Sequence, residues 1–187
     1  DKIDPYGNRL LGIDLVEFYG GENFEEASKV IISQLKYSTQ KPQQNWTFSR
    51  LYKGKKAGSN SGSVIHRLAT LYEAFANEFG KEEVQRRLQI KLISNQPVNP
   101  LHLEAIMAIQ RKIRVHKGPV DFLSLINDLP KYHQAFKNLY IASTLDPYVF
   151  SDFFRLLDFE DCGTDSREAI EFGLVRSIEK TSWVSAL

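Results

Sequence analysis

The sequence predicts an α/β fold, with a sheet core over residues 1–115 and an α-helical extension over residues 116–187. Three observations predict it. Short segments rich in Ile, Val, Phe and Tyr fall within the first hundred residues and end at Gly or at Asn and Pro. A segment with a single apolar helical face separates the second of them from the third. After Pro100 the apolar segments all have helical spacing and are divided by Gly, Pro or Asp.

Taking the elements in order, residues 10–19 (LLGIDLVEFY) alternate in part and stop at Gly20-Gly21, which reads as a strand running into a turn. Residues 29–37 (KVIISQLKY) form a second strand, able to pair with the first as a hairpin. Residues 39–63 follow neither period and are rich in Ser, Asn, Gly and Pro, so they read as one long connection. Val64, Leu68, Leu71, Tyr72, Phe75 and Phe79 lie on one face of a helix that Gly80 stops. Residues 84–94 end in LQIKLIS, a third strand with Leu88, Ile90, Leu92 and Ser94 on one face and Gln89, Lys91 and Ile93 on the other. Helices are expected over residues 101–115, 122–129, 132–141, 148–157 and 166–182. The chain enters its first strand almost at once, so an upstream helix is expected to precede it.

Composition sets bounds on function. The 187 residues are 42% hydrophobic and 25% charged, enough to bury a core. A net charge of +1 means that affinity for nucleic acid has to come from basic residues gathered on one face. Cys162 is the only cysteine, which excludes an internal disulfide and a zinc site built on several thiolates. No apolar run approaches a membrane span, and residues 1–8 are too polar for a secretory leader, so a cytoplasmic location is expected.

Chemistry concentrates at Asp14 on the first strand and at Gln34 and Lys36 on the second. Side chains two positions apart share a face of a sheet, so Gln34 and Lys36 can address one divalent ion together with a carboxylate from the neighbouring strand. Such an ion polarises a scissile phosphate and acidifies a bound water, while an ammonium group offsets charge on the transition state. The triplet by itself is common. Each member also has an ordinary reading: an edge-strand carboxylate, a satisfied core amide and a snorkelling surface lysine.

The surrounding words are more specific. GIDLVEFY, IISQLKYS, WTFSRL, SVIHRLA and IKLISNQPV, spanning roughly residues 10–100, resemble the PD-(D/E)XK endonuclease domains of bacterial anti-phage effectors. These include effectors activated by cyclic oligonucleotides and the amino-terminal nucleases of antiviral NTPases. YIASTLDPYVFSDFFRLLDFEDCG and SREAIE are similar to the helical region that follows the nuclease there. The resemblance implies a restriction-endonuclease-like mixed sheet and metal-dependent hydrolysis of double-stranded DNA. It implies catalysis by Asp14, Gln34 and Lys36, with Asp14 and Gln34 holding Mg2+ or Mn2+, since this family commonly has Gln where restriction enzymes have Glu. It further implies a homo-oligomer and a fused or associated sensor or NTPase module. The family also tends to carry an acidic residue on a helix before the first strand. Positions 9–11 here are Arg-Leu-Leu, so that acid is absent, precedes Asp1, or is replaced by Glu17.

Arg50, Lys53, Lys55, Lys56 and His66 are the expected DNA contacts, the lysines as an electrostatic clamp in a glycine-bearing loop. A solvated loop and an exposed helical histidine are the plain alternatives. His102, His116 and His133 lack metal-ligand spacing. The aromatic helix from Tyr148 to Phe159 has more large apolar groups than one face needs, which predicts an exposed patch for self-association. The rival class is a catalytically inactive module of the same fold that binds DNA or mediates assembly.

Overall fold

A computed structural model describes residues 14–41, 43–54, 61–116 and 118–163. The chain is α/β, with a four-stranded mixed sheet and seven helices among the described residues. Strands β1 (Leu15–Tyr19), β2 (Lys29–Lys36), β3 (Leu88–Ser94) and β4 (Leu157–Asp158) lie side by side in chain order. β1 runs antiparallel to β2, while β3 and β4 extend the sheet in parallel. The helices are α1 (Phe48–Tyr52), α2 (Val64–Phe79), α3 (Lys81–Arg87), α4 (Pro100–Val115), α5 (Phe122–Ile126), α6 (His133–Ser143) and α7 (Pro147–Arg155).

Two compact units share the chain. The first comprises Asp1–Gln44, Glu73–Pro97 and Leu157–Leu187 and holds the sheet. Its β1–β2 turn needs glycine twice. Gly20 sits at φ +79, and a Cβ on Gly21 would stand 2.5 Å from the Ala27 nitrogen, closer than any side chain tolerates. Arg87 fastens this turn by donating to the carbonyls of Phe24, Glu25 and Ala27 at 2.9, 2.6 and 3.0 Å. Phe24 stacks on Phe79 at 4.3 Å and meets Phe75 edge-on at 5.3 Å. Val30, Ile32, Leu88, Ile90 and Leu92 are buried along one face of the sheet.

The second unit comprises Asn45–Tyr72 and Val98–Leu156 and is helical. Its core is aromatic. Phe122 meets Phe150 edge-on at 4.5 Å and Phe154 at 5.2 Å, and Phe136 contacts both Phe48 and Phe154. Asn99 caps α4 by accepting from the amides of Leu101 and His102, and Asp146 caps α7 by accepting from Tyr148; each is followed by a proline, preset for the first helical position.

The structure departs from the sequence reading in four places. The connection over residues 39–63 contains α1, one helical turn too short to show a period. Residues 81–87 are helical up to the start of β3, with Glu82 and Glu83 in the first turn and Arg86 and Arg87 in the last, matching the helix dipole. The final aromatic helix ends at Arg155, and Leu157–Asp158 joins the sheet beside Ile90 and Lys91. The aromatic patch is not exposed: Phe150, Phe153 and Phe154 are at most 1% accessible, and only Tyr148 of that helix is open to solvent. The helix expected over residues 166–182 lies outside the described residues.

Candidate functional site

Asp14 immediately precedes β1, and its amide donates to the Ser33 carbonyl at 3.2 Å, one residue out of step with the ladder that ends at the Leu15–Ser33 pair. This brings Asp14 beside Gln34 and Leu35 at the end of the paired strands. The side chains meet there. Gln34 Nε2 donates to Asp14 Oδ2, and the Leu35 amide donates to the same oxygen at 2.7 Å. Gln34 and Lys36, two residues apart on β2, share the face that Asp14 addresses.

Gln34 is buried, and its Oε1 has no hydrogen-bond partner among the described residues. The amide orientation has a physical cause, since turning it over would set a carbonyl oxygen against the Asp14 carboxylate. An unmet buried oxygen costs about 1–3 kcal/mol, a cost that a water or a cation at this position would remove. Asp14 is exposed and Lys36 half-buried. The donors fit a hard divalent cation, with one carboxylate and one amide oxygen. No cluster of three His, Cys, Asp or Glu able to hold a metal occurs among the described residues, so the rest of an octahedral shell would fall to phosphate and water.

Glu17 is no substitute for the missing acid. It lies three positions from Asp14 and therefore on the opposite face, opposite Ile31, where Tyr19 Oη donates to its carboxylate at 3.0 Å. That face carries a second polar array the sequence reading did not single out. Lys91 Nζ binds Asp161 at 2.7 Å and approaches Asp158 at 3.9 Å, and Gln89 donates to Asp158. Burial pulls the Lys91 pKa down, but the Asp161 bond and the charges of Asp161, Asp158 and Glu17 together hold it above the usual lysine value. The alternation Gln89-Ile90-Lys91 was the available signal, and the two-residue strand supplying Asp158 left none. The array, one lysine among three carboxylates, ties the parallel edge of the sheet together.

Cys162 ends this edge, its Sγ donating to the Leu92 carbonyl at 3.2 Å. Burial first, then the charges of Asp161 and Asp158, push its thiol up to about 12. The thiolate fraction at pH 8 is then on the order of one in ten thousand. Ellman's reagent is expected to leave Cys162 unmodified in the native protein and to titrate one thiol once urea unfolds it; prompt native reaction would contradict this burial.

The expected DNA contacts belong to the second unit where they are described. Arg50 lies on α1, its guanidinium 4.1 Å above the Trp46 ring and donating to the Asn45 carbonyl at 3.2 Å. Lys53 is exposed just after α1. Lys55 and Lys56 lie outside the described residues. His66 stands in the first turn of α2, where its amide donates to Ser63 Oγ at 3.1 Å and its buried Nδ1 has no partner among the described residues. His102 stacks on Phe48 at 4.4 Å and accepts from the Phe48 amide; burial and then Lys131 lower its pKa, which suits a neutral structural ring.

No protein-family model matches the chain, and no curated protein matches it. No helix among the described residues is long and apolar enough to cross a membrane.

Proposed function

We propose that the chain is a metal-dependent endonuclease of the PD-(D/E)XK type that cleaves double-stranded DNA, acting in the cytoplasm as an anti-phage effector. The observation that supports it is the Asp14, Gln34 and Lys36 cluster, in which a carboxylate and an unspent buried amide oxygen share one sheet face with a lysine. In this reading Asp14 and Gln34 hold Mg2+ or Mn2+. An ion held there would supply a Lewis acid for the phosphodiester and lower the pKa of a coordinated water. Lys36 places its ammonium against the phosphate oxygens as charge builds on them. A sensor or NTPase module and a second copy of the chain are the partners this reading calls for, because one site cuts one strand.

Asp14→Asn tests the metal site with little disturbance, since its amide oxygen can still accept from Gln34 and Leu35. The expected result is saturable Mn2+ binding by the wild type, weakened at least tenfold in the variant, at a folding stability within about 1 kcal/mol. Equal isotherms would remove Asp14 from the site. Only nonspecific Mn2+ binding by the wild type would favour the second reading, an inactive DNA-binding or assembly module; the absence of a metal-holding acidic cluster among the described residues is the observation on its side.

Neutralising Lys53, Lys55 and Lys56 together is expected to lower the dependence of DNA affinity on salt by roughly two to three phosphate contacts. Fluorescence anisotropy across a salt series measures this. An unchanged slope returns the segment to a solvated loop.

A further inference from the structure

We infer that the cavity between α5 and α6 in the helical unit is a subsite for a phosphate ester. Its volume is about 280 Å3, and Asp121, Leu123, Ser124, Asn127, His133 and Lys137 line it. Three of these side chains, Asn127, His133 and Lys137, make no hydrogen bond or ion pair among the described residues, although all carry donors. His133 and Lys137 stand four residues apart on α6 and so present an N–H group and an ammonium from one helical face. Asn127 adds its amide from the end of α5.

The remaining groups define the ligand further. Ser124 Oγ is committed to the Asp121 carbonyl at 2.7 Å. The single carboxylate of the lining, Asp121, spends Oδ1 on the Leu123 amide at 2.9 Å. An oxyanion with several acceptor oxygens answers the donors along this lining, and its charge is met by Lys137. A bare phosphate fills only part of the volume, so the ester's organic portion lies along Leu123 while Asp121 Oδ2 can accept from a hydroxyl. The phosphate comes either from a free phosphorylated molecule or from a DNA backbone.

The test uses the whole chain and inorganic phosphate as probe, with chloride at matched ionic strength as control, followed in 1H–15N spectra. Amides of residues 121–137 are expected to shift saturably with phosphate and not with chloride. His133→Ala/Lys137→Ala, substitutions at a half-buried and an exposed position, should raise the half-saturation concentration at least fivefold while the remaining spectrum stays folded. Equal shifts with chloride, or an identical titration in the double variant, would overturn the subsite. A short duplex then separates the sources. A salt slope lower by roughly 0.9 per lost contact in the double variant identifies a DNA phosphate; an unchanged slope with lost phosphate binding identifies a free phosphate ester. Neither arm involves Asp14, Gln34 or Lys36, so the subsite and the nuclease reading stand or fall separately.

Discussion

Replacing Lys36 by methionine is expected to lower divalent-dependent cleavage of plasmid DNA by about 100- to 1000-fold, the usual cost of removing one preorganised charge from a transition state. Methionine keeps much of the apolar stem of a half-buried lysine. The variant therefore separates charge from packing. Mn2+ binding should persist, because in the proposed site Asp14 and Gln34 would supply the oxygens and Lys36 none. Cleavage lost with metal binding intact assigns the ammonium to the chemical step. Joint loss of both assigns it to the architecture of the strand end, and wild-type cleavage by the folded variant removes it from the site altogether. Urea titration provides the control, since a variant with an unchanged midpoint cannot owe lost activity to unfolding.

The sheet that carries this cluster was legible for a specific reason. Residues 29–36 and 88–94 combine β-branched residues with a period-two pattern; β2 agrees with the sequence reading to within a residue, and β3 covers the LQIKLIS that ends the segment read over residues 84–94. Helix α2 was equally legible, since its apolar residues trace one face over sixteen positions. What was not legible lacks length. α1 and β4 span five and two residues, too few for any period, and α3 has only Val84 buried on its highly charged surface. The β1–β2 hairpin was foreseen, but the pairing of β4 was invisible for the same reason: Asp158 gains its role only because two residues of chain return beside Ile90 and Lys91.

The candidate site follows the same logic. The two-residue spacing places Gln34 and Lys36 on one face of β2 without further information, because the pleat allows nothing else. The approach of Asp14 to Gln34 required the hairpin register, which is fixed by the Gly20-Gly21 turn and its anchoring to Arg87. The exclusion of Glu17 is the converse, since one odd step along β1 turns a carboxylate to the other side of the sheet.

The second large effect concerns the helical unit. Phe154→Ala is expected to destabilise the protein by about 3–5 kcal/mol, the range for deleting a buried aromatic ring. The ring is 1% accessible and contacts Phe122, Phe136 and Phe150, so the deletion leaves a cavity lined by aromatic rings that have few ways to collapse onto it. A charge at Phe153 or Phe154 is therefore a folding lesion, and its effect on DNA cleavage carries no information about assembly. Tyr148 is different. It lies on the same helix and is 50% accessible, so Tyr148→Glu should stay within about 0.5 kcal/mol of wild type. Denaturant titration of both variants checks the contrast directly. A Phe154→Ala loss below about 1 kcal/mol would mean that the aromatic cluster is loosely packed. With stability matched, sedimentation of the wild type and of Tyr148→Glu then tests self-association on this helix: a dimer lost in the variant places the contact there, a dimer kept in both places it elsewhere, and a monomeric wild type overturns self-association.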